Sequence, residues 1–148
     1  MLVQKVLAYI THAGQLLVFR QPLAPDQGIQ VPGGSVEPGE TLAEAALREA
    51  REETGLSKLA LRAELGSARY ELQVDVGPPH LRHFFHIEAA EMRAPRWQHQ
   101  EPPTATRSAT VLRELWWEPL PLSDGRALAR LLDWQMGALL SQLRSPRR

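Results

Sequence analysis

The residues with the clearest chemical potential are Glu49, Glu52 and Glu53, which follow one another at i, i+3 and i+4 and so share one flank of a helix. Like charges this close repel one another, and a positive charge placed among them would relieve the repulsion. Carboxylate oxygens are hard ligands that suit Mg²⁺ and Mn²⁺, and Mg²⁺ is usually held by a few carboxylates together with water and substrate phosphate. The spacing therefore predicts a divalent-metal site that handles phosphates.

A helix over about residues 41–54 must present these acids. Thr41 precedes a run rich in Ala, Leu, Glu and Arg, which are strong helix formers, and Gly55 stands where a left-handed residue would end the helix. The apolar residues of the run fall on one arc, which should be buried and leave the acids at its edge. They are Leu42, Ala43, Ala46, Leu47 and Ala50.

Two glycines, Gly33 and Gly34, end the apolar strand that comes before this helix. They can take backbone angles closed to other residues, so a main-chain group could approach a metal and phosphates there. An ordinary tight turn would explain the glycine pair if it stood alone. A solvent-exposed acidic helix face that also carries Arg48 and Arg51 would explain any single glutamate. The complete pattern favours the metal site.

The whole segment from Gly34 to Leu56 resembles the box of the Nudix hydrolases. Every fixed position of that pattern is filled, with apolar residues at Ala50 and Leu56: Gly34, Glu40, Arg48, Glu49, Glu52, Glu53 and Gly55. The resemblance implies an α/β fold of the Nudix type, an α/β/α sandwich with a mixed β-sheet. It also implies an enzyme in which water cleaves the diphosphate linkage of a nucleoside diphosphate derivative.

The same resemblance assigns roles to the residues of the box. It implies that Gly34 supplies a backbone carbonyl near the metal, and that Glu40 pairs with Arg48 to brace the loop. The three helix glutamates face the metal, which is Mg²⁺ with Mn²⁺ as the alternative. Glu53 and Glu52 are the first choices as direct ligands.

Hydrolysis also requires a general base. Beyond the box, Glu101 is the best-placed acid, and Glu53 is the alternative. His99 is a second candidate in the same stretch, and several other acids compete: Glu88, Glu91, Glu114 and Glu118. The segment 93–110 is rich in Pro, Thr, Ser, Ala and Arg, and its length predicts a mobile lid that brings Glu101 and Trp97 to the phosphates.

Apolar runs and breakers predict the remaining elements. Strands are expected over Val3–Ile10 and Gln15–Phe19 around a turn at 12–14, and then over Leu59–Leu65, Ala68–Val76, Leu81–Glu88 and Val111–Leu120. A last helix, capped by Ser123 or Asp124, should bury a set of apolar residues: Leu128, Leu131, Leu132, Trp134, Leu139 and Leu140. On the strand 81–88, Arg82 and His86 share a face that either approaches the substrate cleft or lies in solvent.

Length and composition set the class of protein. A chain of 148 residues is expected to form one domain over 1–148, and the lack of cysteine excludes disulfides and thiolate metal sites. A net charge of zero makes nucleic acid an unlikely partner, so the expected partner is a small-molecule nucleotide, with a homodimer left open. The N-terminal run has the pattern of a strand, not of a signal peptide or membrane span, which favours a cytoplasmic protein.

Three functions remain open on the sequence. The first is a metal-dependent pyrophosphohydrolase of nucleotide derivatives. The others are a noncatalytic nucleotide-sensing domain and an RNA 5′-end pyrophosphohydrolase. The intact set of glutamates argues against the sensor, and the zero net charge argues against the RNA enzyme. Motifs typical of Nudix enzymes for coenzyme A, NADH and ADP-ribose do not occur, so a nucleoside triphosphate and a dinucleotide-type substrate both stay open.

Overall fold

The computed structural model describes residues 2–71, 78–105, 107–120 and 132–143, which contain seven strands, one α-helix and two short 3-10 helices. The strands are β1 Val3–His12, β2 Gln15–Arg20, β3 Gly33–Ser35, β4 Leu59–Tyr70, β5 His80–Ala89, β6 Arg96–Glu101 and β7 Val111–Pro119. The α-helix, α1, is Leu42–Thr54, and the 3-10 helices are Pro25–Gln27 and Leu140–Gln142. All seven strands form one mixed sheet in the order β4-β5-β1-β2-β7-β6, with β3 paired to β1.

The sheet is split near its centre. β1 and β2 form a hairpin in which only Thr11 and His12 of β1 face Leu16 and Gln15 of β2. The first half of β1 pairs instead with β3, where Leu7 lies opposite Gly33, and β2 pairs with β7. The two strands of the hairpin therefore diverge, and the chain around Gly33 enters the gap between them. This places the glycines of the box in the middle of the sheet.

Each face of the sheet packs against a different part of the chain. One face packs on α1 through Ala45, Ala46 and Ala50, whose small side chains let the helix lie close to the strands. The other face packs on residues 132–143, where Leu132 and Leu140 are buried. Strand alternation divides β1 between the two cores, because successive side chains point to opposite faces.

The predicted helix is confirmed as α1, and its two ends show why it forms there. The Thr41 hydroxyl accepts a hydrogen bond from the Glu44 N–H, and the Glu44 carboxylate accepts one from the Thr41 N–H, which completes a capping box. Gly55 ends the helix with φ at 79°, a conformation that favours glycine. The turn predicted at 12–14 is also present, with positive φ at Ala13 and Gly14.

The segment 93–110 is a strand at its centre and not the predicted long loop. β6 pairs with β7 along its whole length, from Arg96 opposite Trp116 to Glu101 opposite Val111. Its Trp97 is half-buried, packs 6.2 Å from Trp117 between ring centroids and donates a hydrogen bond to the Thr54 carbonyl. The mobile lid expected here is therefore wrong for residues 96–101, because cross-strand pairing and an anchored tryptophan hold that stretch against the sheet and α1.

Two further predictions need correction. The two strands expected at Leu59–Leu65 and Ala68–Val76 are one strand, β4, which ends at Tyr70. Register shifts in its pairing with β5, between residues 61 and 66, let the strand continue through its irregular apolar pattern. Residues 72–77 lie outside the described ranges. The predicted caps and early turns of the last helix also lie outside the described ranges. From 132 to 143 the chain forms turns and a 3-10 helix, and positive φ at Trp134 and Gln135 is incompatible with an α-helix there.

The mixed α/β class is confirmed, and a Nudix-type arrangement of helix and sheet is present. In the ranges that the structure covers, α1 lies on one face and the 132–143 segment on the other. No helix within these ranges is both long and apolar enough to cross a membrane.

Removing the capping hydroxyl should loosen the helix that carries the acids. Thr41→Ala is expected to lower the free energy of unfolding by about 1 kcal/mol, since one orphan N–H loses its acceptor. That change corresponds to a fall in Tm of about 3 °C for a domain of this size. Thr41→Ser keeps the hydroxyl and is the control. Equal melting curves for the alanine and serine variants would contradict the capping role.

Candidate functional site

Arg48 lies at the centre of the acidic cluster. Its guanidinium donates to both oxygens of the Glu40 carboxylate, with Nε–Oε2 at 2.6 Å and Nη2–Oε1 at 3.0 Å. Nη1 also contacts Glu49 Oε1 at 2.9 Å and Glu52 Oε2 at 3.3 Å, and Nη2 donates to the Ser35 carbonyl at 2.9 Å. One cation therefore holds two acids of the helix and the loop before it in place.

The contact between Glu40 and Arg48 has the bidentate geometry of a strong charge-assisted pair. Arg48 holds the pKa of the Glu40 carboxyl below its ordinary value, helped by the hydrogen bond that Oε1 accepts from the Glu37 N–H at 2.9 Å. The pKa of Arg48 is raised in turn, mainly by the hydrogen bond to Glu40. The expected pairing is present in the structure, and its bracing function remains a proposal.

Glu53 is the buried acid of the site, with 3% of its surface exposed. Its Oε2 accepts a hydrogen bond from the Gly33 N–H at 3.1 Å, and its Oε1 lies 3.5 Å from Arg113 Nη2. Burial is the main cause that raises the pKa of Glu53 well above its ordinary value, and the neighbouring Glu49 carboxyl adds to it. A buried carboxylate next to a second one attracts a positive charge.

Gly34 has no side chain because the Glu49 carboxyl occupies the space. A Cβ built on Gly34 would stand 2.6 Å from the carboxyl carbon of Glu49, closer than real contacts allow. At Gly33 a Cβ would meet the Leu7 side chain at 2.3 Å and the Val6 carbonyl at 2.5 Å. Both glycines are therefore required for close approach of β3 to α1 and β1, whatever role the Gly34 carbonyl has toward a metal.

Glu52 is the most exposed acid of the set and lies at the outer edge of the site. Partial burial raises its pKa, Arg48 lowers it, and nearby Glu49 and Glu101 raise it further. The Glu52 carbonyl lies 2.9 Å from Nε2 of His99 on β6, so the neighbouring strand steadies the end of the helix. Its side chain pairs with Arg48 at 3.3 Å and remains accessible from the solvent side.

Arg113 joins the helix acids to Glu101, and the sequence analysis did not select it. Its Nη1 lies 2.7 Å from Glu101 Oε1, and its Nη2 lies 3.5 Å from Glu53 Oε1. Arg107 contacts the other oxygen of Glu101 at 3.2 Å. The only available signal was strand alternation, which places Arg113 on the same face as buried Leu115 and Trp117. A basic residue at a buried strand position is unusual enough to be selected.

The structure brings Glu101 into the same ion-pair network as Glu53, but by way of Arg113. The competing acids are held elsewhere by partners of their own. Glu88 pairs with Arg62, Glu91 with Lys58 and Glu114 with Arg20 and Arg96, and Glu118 accepts a hydrogen bond from the Trp116 indole. His99 bonds to the helix backbone. Among the acids weighed beyond the box, Glu101 is the one linked to the helix acids.

The donor set fits a small divalent ion. No three carboxylate or imidazole groups within the described ranges already surround one point. Mg²⁺ does not require such a cage, since it is usually bound through one or two carboxylates, with water and substrate phosphate in the other positions. Glu49, packed against Gly34, and Glu53, bonded to the Gly33 N–H, offer two such carboxylates.

A cleft of about 200 Å³ opens next to Glu53 where β1 and β2 diverge. Its lining includes Gly33, Gly34 and Glu53 together with four basic residues: Lys5, His80, Arg82 and Arg113. A larger depression of about 360 Å³ lies beyond the end of α1, around Leu56 and Met92, and contains none of the acids of the box. We take the smaller cleft as the candidate substrate site because it contains Glu53.

Comparison with known proteins agrees with this combination of sheet, helix and acidic site. The model of the NUDIX domain matches residues 1–134. A NUDIX hydrolase from Nitrosomonas europaea superposes with a TM-score of 0.65 at 20% identity, covering 96% of this chain and 86% of the other. An Ap4A hydrolase from C. elegans gives 0.62 at 21% identity, covering 96% of each chain. The MutT protein from Methanosarcina mazei Go1 gives 0.62 at 20% identity, covering 95% and 91%.

The fold and the site thus define a hydrolase that acts on pyrophosphate bonds. The chain belongs to the Nudix family, on the match of the family model to most of its length. Among curated proteins no sequence gives a significant match. The structural neighbours share the fold at low identity, so the substrate has to be argued from the residues of this chain.

Truncating Arg48 should leave three acids without their common cation. Arg48→Ala is expected to lower the free energy of unfolding by about 3 kcal/mol near neutral pH, the scale for removing one partner of a partly buried pair. Arg51→Ala, on the exposed side of the same helix, is the control and should cost less than about 0.5 kcal/mol. Because the pKa of Glu40 is lowered in the folded protein, its ion pair with Arg48 adds to the free energy of unfolding above the ordinary carboxyl pKa, and this stabilisation is lost as the pH falls below it. The difference in free energy of unfolding between Arg48→Ala and the parent should therefore become smaller at acid pH. Equal stability of Arg48→Ala and Arg51→Ala would refute the central role of Arg48.

The raised pKa of Glu53 makes stability depend on pH in the opposite direction. A carboxyl whose pKa is raised on folding stabilises the protein at low pH, and this stabilisation is lost as pH rises through the folded pKa. Without metal, Glu53→Gln should therefore gain stability relative to the parent as pH increases from about 5 to about 8. Urea unfolding in EDTA measures this, with the exposed Glu64→Gln as control. A stability difference between Glu53→Gln and the parent that stays constant with pH would contradict the raised pKa of Glu53.

Proposed function

We propose that this chain is a metal-dependent pyrophosphohydrolase that cleaves the diphosphate linkage of nucleoside diphosphate derivatives, with Mg²⁺ as its metal and Mn²⁺ as an alternative. The observation that carries the proposal is the buried Glu53 carboxylate, bonded to the Gly33 N–H in a cleft that Lys5, Arg82 and Arg113 also line. Paired carboxyl groups beside closely packed glycines suit a cation, and basic walls suit the phosphates that such a cation would help to bind.

Glu49 and Glu53 would hold the metal, with Glu52 approaching from the exposed edge and the Gly34 carbonyl as the proposed main-chain ligand. A bound divalent ion supplies charge neutralisation at the phosphates and makes water easier to deprotonate. The chain's own part is to keep the acids in place. Arg48 does this by fixing Glu49 and Glu52 against the Glu40 brace.

The proton of the attacking water needs an acceptor. Both oxygens of Glu101 are engaged by cations, Oε1 by Arg113 and Oε2 by Arg107, so a proton taken there would weaken two ion pairs. Among the described residues, Glu53 forms one longer ion pair, with Arg113 at 3.5 Å, so its ionised carboxylate can take a proton with less loss of pairing. We therefore propose Glu53 as the acceptor and Glu101 as the residue that positions Arg113 beside it.

The remaining expectations are part of the same proposal. Residues 1–148 form a single catalytic domain that acts in the cytoplasm on a small-molecule nucleotide. A homodimer is compatible with this, and neither a membrane nor a nucleic acid is needed as a partner.

Replacing Glu53 tests the function directly. Glu53→Gln keeps the shape of the side chain and removes its charge, so turnover with Mg²⁺ should fall by a factor of about 1,000, or about 4 kcal/mol of transition-state stabilisation. The assay is a panel of nucleotides scored for monophosphate and phosphate products, with Glu64→Gln as the control of equal charge change. EDTA should abolish the parent activity and Mg²⁺ should restore it. Near-normal turnover in Glu53→Gln would remove this assignment, and a panel that binds without turnover would favour a sensing domain.

A further inference from the structure

Arg82 on β5 is a buried cation with little to neutralise it. It is 7% exposed and forms no salt bridge with any residue in the described ranges. Its guanidinium carbon lies 3.8 Å from the centre of the Tyr70 ring, and one N–H donates to the Trp134 carbonyl. Burial lowers the pKa of Arg82, and the nearby Tyr70 and Tyr9 act in the opposite direction. An arginine in this position is costly unless an anion meets it.

Lys5 stands beside Arg82 on the neighbouring strand. The two residues are direct partners in the parallel pairing of β1 with β5. The Lys5 ammonium donates to the Ser35 hydroxyl at 2.7 Å and forms no salt bridge within the parts of the chain that are described. The pKa of His80 is lowered by burial first, and then by the charges of Lys5 and Arg82. Their positive charges therefore reinforce each other along one wall of the cleft.

Arg113 lines the same cleft but differs from Arg82 in its partners. It is 8% exposed, and its Nη1 and Nη2 pair with Glu101 and Glu53. Within the described residues, the cations of the cleft that have no carboxylate partner are therefore Lys5 and Arg82.

We propose that Lys5 and Arg82 bind a phosphate that lies beyond the cleaved pyrophosphate linkage, so that the enzyme selects substrates with three or more consecutive phosphates. The favoured class is a nucleoside triphosphate or a dinucleoside polyphosphate, and nucleotide sugars with two phosphates are disfavoured. The inference rests on the proposed function for the place of cleavage, but the binding site stands on its own contacts.

Phosphate fits this wall better than a neutral group. A guanidinium presents its N–H groups as a fork that matches phosphate oxygens, and an ammonium acts as a compact charge beside it. A sugar hydroxyl could accept a hydrogen bond but would leave the buried charge of Arg82 uncompensated. The Tyr70 ring and the Trp134 carbonyl also hold the guanidinium of Arg82 in one place, which reduces the ordering that binding would require.

Binding of inorganic phosphates tests the site without turnover. Calorimetry of the full-length protein in EDTA should give an affinity for tripolyphosphate at least about tenfold above that for pyrophosphate, the usual scale for one charge-assisted contact. Arg82→Gln should reduce this ratio about tenfold. Arg62→Gln removes an exposed arginine on β4 that pairs with Glu88, and it should keep the parent ratio. Equal affinities for the two anions in the parent would overturn the proposal.

Kinetics with Mg²⁺ gives the second measurement. The ratio of kcat/KM for a nucleoside triphosphate to that for a nucleotide sugar should fall about tenfold in Arg82→Gln, chiefly through the KM for the triphosphate. If loss of the Trp134 contact unfolds that variant, Lys5→Gln takes its place, because Lys5 lies at the edge of the cleft and holds only the Ser35 hydroxyl. An unchanged ratio in a folded variant would overturn the proposal.

The two proposals fail in different ways. If the parent cleaves nucleotide sugars best and Arg82→Gln affects all substrates equally, the phosphate site is wrong and the pyrophosphohydrolase stands. If no nucleotide is cleaved while the tripolyphosphate preference depends on Arg82, the phosphate site stands and the catalytic function is wrong.

Discussion

The site depends on one guanidinium placed among carboxylates that would otherwise repel one another. Arg48 contacts Glu40, Glu49 and Glu52 and also reaches the Ser35 carbonyl, so one side chain fixes the helix relative to β3. Glu53 is left outside this set, buried and without a hydrogen bond from Arg48. The balance of charge is therefore uneven: Arg48 compensates three acids at short distances, whereas the cation near Glu53 is Arg113, at 3.5 Å.

The split in the sheet turns this helix feature into a site. Because β1 leaves β2 after two residues of pairing, the strand that carries Gly33 can enter between them, and the Gly33 N–H meets Glu53. The same gap exposes residues of both faces of the sheet to one cleft. Lys5 and Arg82 come from the face that packs on 132–143, whereas Arg113 comes from the face that packs on α1. An unsplit sheet would separate these charges by its full thickness.

Local signals in the sequence predict the parts of the fold that depend on local interactions. The helix from Leu42 to Thr54 follows from its cap, its apolar arc and Gly55, all within one segment. β6 was missed because its stability comes from pairing with β7 and from Trp97, which are contacts across the fold. Arg113 was missed for the same reason. Its meaning depends on Glu53 and Glu101, which are distant in sequence and share no motif with it.

The two buried arginines, Arg113 and Arg82, differ in how the protein compensates their charge. Arg113 has two carboxylates, and the cost of burying its charge is offset within the protein. Arg82 has an aromatic face and one carbonyl, which offset less of that cost. A buried charge that the fold does not compensate reduces stability, so an enzyme gains from it only when an anionic ligand supplies the missing charge. Because Glu53 and Arg82 line the same cleft, one ligand could use both, with a pyrophosphate near the acids and a further phosphate at the cation.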